Sequence, residues 1–298
     1  MEWSERIPDE RLIIKVDGYD VVAYSFGTSD EVVLCLNGGP GLPCDYLREA
    51  HSCLAEEDFR IVAFDQLGTG ASNRPTDSSL WTIERYVQEV ETVRSTLDLG
   101  QVHLLGHSWG GWLAIEYALT YPDLIKTLIL GSTAADIPHL TTELERLRGA
   151  LGAETVAMMQ RHEALGTYDH PEYKAAVTIL NYRHVCRLSQ WPAPVTRSLD
   201  DWNMGPYAAI QGPNEFLYIG NLKDWNRVPD LPQISVPVLI TCGEHDELTP
   251  ACSMRMKQAL PAADVHVVRN ASHMAFYENP DEYYPALMRF LKSHRGPQ

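Results

Sequence analysis

The sequence has no long hydrophobic run and few basic residues. Its 298 residues contain no uninterrupted apolar stretch near the ~18 residues that span a bilayer. Lys and Arg number 24 against 40 Asp and Glu, a formal charge of −16, and the basic residues form no cluster. Because such a chain repels phosphate backbones and anionic lipids, we expect neither a nucleic-acid partner nor a membrane partner. The composition does not indicate an oligomeric state.

Cysteine is also sparse. The six Cys are widely spaced, and no pair has Cys-x-x-Cys or zinc-finger spacing. The amino-terminal segment MEWSERIPDERLII is charged and lacks the apolar centre of a secretory signal. These features predict a cytoplasmic protein. No metal-ligand cluster and no cofactor motif is evident from the residue spacing, so we expect no metal and no cofactor.

Short apolar runs alternate with amphipathic stretches along most of the chain. Residues 11–16 and 21–26 read as a hairpin around Asp17-Gly18, a dipeptide that favours tight turns. Six continuously apolar runs follow, at 32–36, 60–64, 102–106, 127–131, 238–242 and 265–269. Such runs are typical of strands that are buried on both faces of a parallel sheet. Their alternation with helical patterns predicts an α/β fold with a mostly parallel, doubly wound sheet.

The alternation is interrupted once, between the sixth and seventh strands of the predicted sheet. Residues 133–232 contain helix-like segments at 141–165 and 171–188, followed by a stretch rich in Trp, Pro and Gly at 190–216. This segment is too long for a connection inside a compact sheet. We therefore predict a core formed by residues 1–132 and 233–298, and a helical cap formed by residues 133–232.

A candidate nucleophile follows the run at 102–106. The sequence Gly106-His107-Ser108-Trp109-Gly110 has the Gly-x-Ser-x-Gly pattern between a predicted strand and a predicted helix. In a nucleophile elbow the glycines allow strand and helix backbones to approach closely around a strained serine. The pattern therefore predicts Ser108 as the nucleophile.

A nucleophilic serine needs a base, and the base needs an acid that orients it. In α/β-hydrolases these residues follow the serine in the order acid, then histidine, each after a late strand. Asp246 lies in the turn after the run at 238–242, and His273 lies in the turn after the run at 265–269. We predict Asp246 as the acid and His273 as the base, with Glu247 as the rival acid.

The oxyanion that forms during acyl transfer needs backbone donors. One predicted donor is the N–H of Trp109, directly after the nucleophile. The other comes from the glycine-rich turn at 37–41, where we favour Gly39 and keep Gly38 as the alternative. This turn lacks the Lys and Ser/Thr of a phosphate-binding loop, so we do not interpret it as a phosphate site.

Six motifs together resemble the proline iminopeptidase family of α/β-hydrolases, which includes the tricorn-interacting aminopeptidases and related amino-acid amidases. They are NGGPG at 37–41, DQLGTGAS at 65–72, GHSWGG at 106–111, GPNEF at 212–216, GEHDELTP at 243–250 and ASH at 271–273. The resemblance covers nearly the whole chain. It implies a serine hydrolase that removes the amino-terminal residue of a peptide or hydrolyses an amino-acid amide.

The resemblance also implies how a substrate with a free amino group is held. In this family acidic residues beside the triad bind the α-ammonium, and the matching positions are Glu215 and Glu247. A cation in a partly dry cleft requires such carboxylates, and a blocked amine would leave them unpaired. The aromatic residues that we consider for the side-chain pocket are Tyr207, Phe216, Trp109 and Trp225.

One position departs from the family pattern. The family usually has His at the head of the glycine-proline turn, whereas this chain has Asn37. We expect Asn37 still to hydrogen-bond the loop backbone, and the change favours amidase or broader aminopeptidase activity over strict prolyl cleavage. Two alternatives stay open: an esterase, lactonase or C–C hydrolase acting on a neutral substrate, and a ligand receptor built on a hydrolase fold.

Overall fold

A computed structural model describes residues 6–296 of the chain. Their centre is one eight-stranded sheet in the order β1-β2-β4-β3-β5-β6-β7-β8. The strands are β1 (Glu10–Val16), β2 (Tyr19–Phe26), β3 (Val32–Leu36), β4 (Arg60–Asp65), β5 (Val102–His107), β6 (Ile125–Gly131), β7 (Val238–Gly243) and β8 (Asp264–Val268). Residues 1–5, on which part of our interpretation of the amino terminus rests, lie outside the described residues.

The sheet is antiparallel at one edge and parallel elsewhere. β2 pairs antiparallel with β1 and β4, and all pairs from β4 to β8 are parallel. The side chains of β3 and β5 are all buried, as their continuous apolar runs predict. Because parallel strands end at the same edge, the segments after β3, β5, β7 and β8 gather along that edge. The predicted fold class is confirmed.

Eleven α-helices occur in residues 6–296. They are α1 (Asp45–His51), α2 (Ile83–Thr96), α3 (Trp109–Thr120), α4 (Ile137–Gly149), α5 (Ala153–Leu165), α6 (Pro171–Leu180), α7 (Ala193–Asp200), α8 (Met204–Ile210), α9 (Pro250–Ala259), α10 (Ala275–Glu278) and α11 (Pro280–Ser293). α3 packs against β3, β5 and β6, and α9 packs against β7 and β8. None of the helices in this part of the chain is long and apolar enough to cross a membrane.

The segment between β6 and β7 is helical, but its helices differ from the predicted ones. The expected helix at 141–165 is two helices, because Gly152 between α4 and α5 has a φ of 93° that ends regular helix. In place of the expected helix at 171–188, α6 ends at Leu180 and a π-helical turn, Asn181–Val185, follows it directly. α7 and α8 lie in the Trp/Pro/Gly-rich stretch, where we predicted no helix. The extent of the cap as a separate unit stays a prediction.

Candidate active site

Ser108 lies at a sharp turn between β5 and α3. Its backbone has φ 58° and ψ −124°, a conformation that is strained for any residue with a Cβ. The two flanking glycines make the turn possible, because a Cβ on Gly106 would lie 2.2 Å from the Gly110 carbonyl oxygen, and a Cβ on Gly110 would lie 2.0 Å from that of Leu36. The local geometry is therefore that of a nucleophile elbow.

The predicted base and acid are hydrogen-bonded to each other. His273 Nδ1 lies 2.9 Å from Asp246 Oδ1, and both residues are buried. Asp246 also accepts the backbone N–H of Leu248 at 3.0 Å, which fixes the carboxylate. The rival acid Glu247 lies farther from the ring, with Oε1 3.7 Å from Nδ1. The geometry thus favours Asp246 as the residue that orients His273.

The charge state of His273 follows from opposing influences. Burial lowers the pKa of the imidazole, but the carboxylates of Asp246 and Glu215 outweigh it, so the pKa lies above its ordinary value. His273 and Ser108 line the same cleft. A histidine of raised basicity that lines the same cleft as a serine is suited to accept the hydroxyl proton.

The glycine-rich turn after β3 presents its backbone to this cleft. The N–H of Gly38 donates to the Tyr46 hydroxyl oxygen at 2.6 Å, whereas the N–H of Gly39 has no acceptor among residues 6–296. Asn37 donates from Nδ2 to the carbonyl oxygens of Leu42, at 2.6 Å, and Gly38, as expected for a residue that holds this loop. Gly39, which lines the cleft, is therefore better suited than Gly38 to bind an oxyanion.

A hydrogen-bonded chain that we did not predict links this turn to His273. Burial and the neighbouring His273 lower the pKa of His107 well below its ordinary value, so its ring is neutral. Its Nε2 lies 3.0 Å from the His273 carbonyl oxygen, which only accepts; Nε2 therefore carries the hydrogen. Nδ1 then accepts from the Tyr46 hydroxyl at 2.8 Å, and that hydroxyl accepts from Gly38.

Replacing Tyr46 with phenylalanine is expected to lower kcat about tenfold, with little change in KM. The variant leaves the Gly38 N–H and His107 Nδ1 buried without partners, at about 1–3 kcal/mol for each group, and loosens the turn that holds Gly39. Steady-state kinetics and thermal unfolding measure both effects. The control is Tyr284→Phe, whose lost hydroxyl donates to Ala50 in the core. If both variants lose stability but neither loses kcat, the hydrogen bonds that link Gly38, Tyr46 and His107 have no role in the reaction.

Gln66 connects the same turn to the elbow. Its Nε2 donates to the Asn37 carbonyl oxygen at 3.2 Å, and its Oε1 accepts from the Trp109 indole at 2.8 Å. The Trp109 side chain is fully buried, edge-on to Trp112. The structure thus places this side chain in the core, while its backbone N–H stays at the start of α3. Gln66 belongs to the motif at 65–72, for which the sequence indicates a family resemblance but no role.

Two further carboxylates lie close to His273. Glu215 lines the cleft and accepts from Gln211 Nε2 at 2.9 Å, while Tyr207 is hydrogen-bonded to the same carboxyl. Glu247 is fully buried, and neither of its carboxyl oxygens has a hydrogen-bond partner in the described chain. Burial raises the pKa of Glu215; burial, Glu215 and Asp246 raise the pKa of Glu247 well above its ordinary value. Because two buried carboxylates without a counter-ion repel each other, Glu215 and Glu247 favour the binding of a cation between them.

The π-helical turn Asn181–Val185 contacts both loops that carry the acid and the base. The backbone carbonyl of His184 accepts the N–H of His273 at 3.1 Å and that of Glu247 at 3.3 Å. Its ring Nδ1 lies 2.8 Å from the His245 carbonyl oxygen. π-helical turns are frequent at functional sites. Because the key contact is made by a backbone carbonyl, no residue type in the sequence indicates it.

The aromatic residues around the cleft differ from those that we considered. The described residues that line it include Tyr46, Trp191 and Trp202. Tyr207 and Phe216 are buried in the wall, with Tyr207 packed edge-on against Trp202 at 4.4 Å between ring centroids. Trp225 donates from its indole to Glu116 at 2.6 Å and is not among the described residues that line the cleft. The Tyr207 hydroxyl is hydrogen-bonded to the Glu215 carboxyl. A direct substrate contact for Tyr207 and Phe216 stays a prediction.

Known proteins resemble this chain over most of its length. The model of the α/β-hydrolase fold family matches residues 31–280. A proline iminopeptidase of Heyndrickxia coagulans is 36% identical over 262 residues, 88% of this chain and 90% of its own. One from Saccharolobus solfataricus is 34% identical, covering 90% and 87%. The crystal structure of the Mycobacterium smegmatis proline iminopeptidase superimposes with a TM-score of 0.87 at 30% identity, over 96% of this chain and 98% of that one.

Proposed function

For this chain, which belongs to the α/β-hydrolase family and within it to the proline iminopeptidases, we propose a reaction at a free amino terminus. The protein is a serine hydrolase of aminopeptidase type. Its substrate is a short peptide or amino-acid amide whose α-amino group is unblocked. The observation that carries this proposal is the placement of Glu215 and Glu247 beside the His273–Asp246 pair.

The reaction proceeds through an acyl-enzyme. Ser108 Oγ attacks the carbonyl carbon next to the free amine while its proton passes to His273 Nε2, and Asp246 stabilises the imidazolium. The N–H groups of Gly39 and Trp109 bind the oxyanion. His273 then protonates the departing amine, the C–N bond breaks, and a water molecule, deprotonated by His273, releases the amino acid.

The two acids select the substrate. Burial and mutual repulsion favour a shared proton on Glu215 and Glu247 when no cation is present. A substrate ammonium replaces that proton as the compensating charge and places the scissile carbonyl over Ser108. A blocked amine brings no charge and leaves the pair desolvated, which opposes binding.

The pH dependence of kcat/KM is expected to be a bell with its maximum between about pH 7.5 and 8. His273 must be neutral, and because its pKa is raised the acidic limb lies above the reference value of about 6.5. The alkaline limb follows deprotonation of the substrate amine near about pH 8. A pH–rate profile with an amino-acid anilide measures both limbs. Full activity maintained below pH 6 would contradict the assignment of His273.

A panel of anilides and amides of proline, alanine, leucine and phenylalanine tests the proposed function. We expect hydrolysis of the free-amine compounds, with proline among the preferred residues, as the names of the relatives suggest. A fluorophosphonate should label Ser108 with one equivalent per chain and stop the reaction. Rapid hydrolysis of neutral esters or lactones without turnover of any amino-acid amide would overturn the proposal.

A further inference from the structure

A second cluster of reactive side chains lies in the helices between β6 and β7, apart from the residues assigned to the reaction. His162 is in the last turn of α5, His170 precedes α6, and Glu172 is in the first turn of α6. Among residues 6–296 they form one group of three whose nitrogen or carboxylate atoms lie within 4.8 Å of one another. We propose that these residues bind a divalent transition-metal ion such as Zn²⁺.

The distances suit coordination once the exposed His170 ring, whose Nδ1 now accepts the Glu172 backbone N–H at 3.3 Å, turns out of this helix cap. Glu172 Oε2 lies 3.7 Å from His162 Nε2 and 4.0 Å from His170 Nδ1. Ligands of tetrahedral zinc, bound at about 2.0–2.1 Å, are about 3.3 Å apart. The two imidazole rings are stacked at 4.3 Å between centroids, 21° from parallel, so the His170 ring must rotate before both nitrogens can face one ion. Two His and one carboxylate, with the fourth position left to water, form a ligand set that zinc uses in other proteins.

His162 supplies the independent indication of a ligand. Only 6% of its surface is exposed, yet Nε2 has no hydrogen-bond partner among the described residues. A buried, unpaired ring nitrogen is costly unless something binds it. Nε2 is the atom that lies toward Glu172, so the unpaired atom is also the one that the metal would use.

The other ring nitrogen of His162 is already held in the arrangement that metal-binding histidines have. Nδ1 lies 2.7 Å from Thr167 Oγ1, and the Thr167 hydroxyl points to the His162 carbonyl oxygen at 3.4 Å. When the hydroxyl donates to the carbonyl, it accepts from Nδ1–H. This tautomer leaves the lone pair on Nε2, and such outer hydrogen bonds orient a histidine for its metal.

A metal at this position would join α5 to α6 where they meet. α6 leads directly into the π-helical turn Asn181–Val185, whose His184 carbonyl holds the loops of His273 and Glu247. Fixing the start of α6 would restrict the element that supports those loops from outside the sheet. The metal takes no part in the reaction and acts as a structural clip.

One neighbouring charge opposes the metal and offers a test. Arg161 Nη2 lies 3.4 Å from Glu172 Oε2 and competes for the same carboxylate. Removing this guanidinium should free the oxygen and remove a repulsive cation. Arg161→Gln is therefore expected to bind zinc several-fold more tightly than the unmodified chain. Zinc bound at other positions on the surface would not respond to this substitution.

Calorimetric titration of the full chain with ZnCl₂, after dialysis against a chelator, tests the proposal. We expect one ion per chain and a rise in Tm with zinc. His170→Ala and Glu172→Gln, both exposed, should each weaken binding at least about tenfold, while His294→Ala at the end of α11 should not. The absence of saturable binding, equal binding by all variants, or loss of binding in His273→Gln alone would overturn the proposal.

Discussion

Replacing Ser108 with alanine is expected to lower kcat by a factor on the order of 10⁴–10⁶, because the proposed acyl-enzyme forms on its hydroxyl. The turn should persist, since alanine also has a Cβ and meets the same strain at φ 58°. Thermal unfolding should therefore change little. The residual rate would come from the oxyanion donors and from binding, which the variant retains.

Two further measurements make the Ser108 result specific. The control is Ser25→Ala, a buried serine of β2 whose hydroxyl accepts from Arg60 far along the sheet, which should keep its activity. The second is a burst experiment, in which the unmodified protein releases one equivalent of product per chain if deacylation is slow. A Ser108→Ala protein with more than a tenth of normal activity would show that another residue is the nucleophile.

Replacing Glu215 or Glu247 with glutamine is expected to lower kcat/KM for free-amine substrates by about 30- to 4,000-fold. Removing one partner of a desolvated charge pair costs about 2–5 kcal/mol, which corresponds to this range. The glutamine side chain has the same shape, so the loss reflects charge. Hydrolysis of an N-acetylated substrate, slow in the unmodified protein, should be unchanged or faster.

Glu247→Gln is also expected to raise the free energy of unfolding, although it lowers kcat/KM. The pKa of Glu247 is raised in the fold, so the folded chain retains a proton that the unfolded chain releases above about pH 4.5. The carboxyl thus destabilises the fold by up to about 1.4 kcal/mol per pH unit above that value. Denaturant unfolding at pH 5 and pH 7 should show the unmodified protein losing more stability between these pH values than the glutamine variant.

The matched control for both substitutions is Glu163→Gln. Glu163 is a partly buried acid of α5 that pairs with Arg148 and accepts from the Tyr173 hydroxyl, away from Ser108. It should lose stability and keep its preference for a free amine. Equal losses on free and acetylated substrates in Glu215→Gln would mean that the carboxyl supports the fold of the cleft and does not recognise the ammonium.

The sequence was sufficient to predict the sheet, and it located the three residues that we propose for the reaction in turns after its strands. Each strand from β3 to β7 is mostly apolar and almost entirely buried, because a strand covered on both faces has no polar side to display. The elbow has its own glycine pattern, and the acid and base follow strands that end at one edge of the sheet. Such features are local, and local patterns are visible in a sequence.

The helices between β6 and β7 were harder to predict. α7 begins in a stretch with two prolines, Pro192 and Pro194, which fit the first turn of a helix but read as a loop signal. The break between α4 and α5 depends on the backbone conformation of Gly152, which composition does not specify. Short helices of this kind are stabilised by packing rather than by their own propensity.

The supporting contacts of the site are invisible in the sequence for a different reason. Tyr46 and His107 are 61 residues apart, and only the fold brings the hydroxyl to the ring. The contact of His184 uses a backbone carbonyl, which every residue has. The spacing of His162 and His170 matches no metal motif that we considered, and their proximity depends on how α5 meets α6.

The measurement that tests the central claim most directly compares kcat/KM for prolyl p-nitroanilide and for its N-acetylated form. For the unmodified protein we expect the free amine to be preferred at least about 100-fold, which corresponds to about 2.7 kcal/mol of ammonium recognition. The preference should disappear when Glu215 and Glu247 are both replaced by glutamine. Equal rates for the two substrates in the unmodified protein would contradict recognition of a free amino terminus.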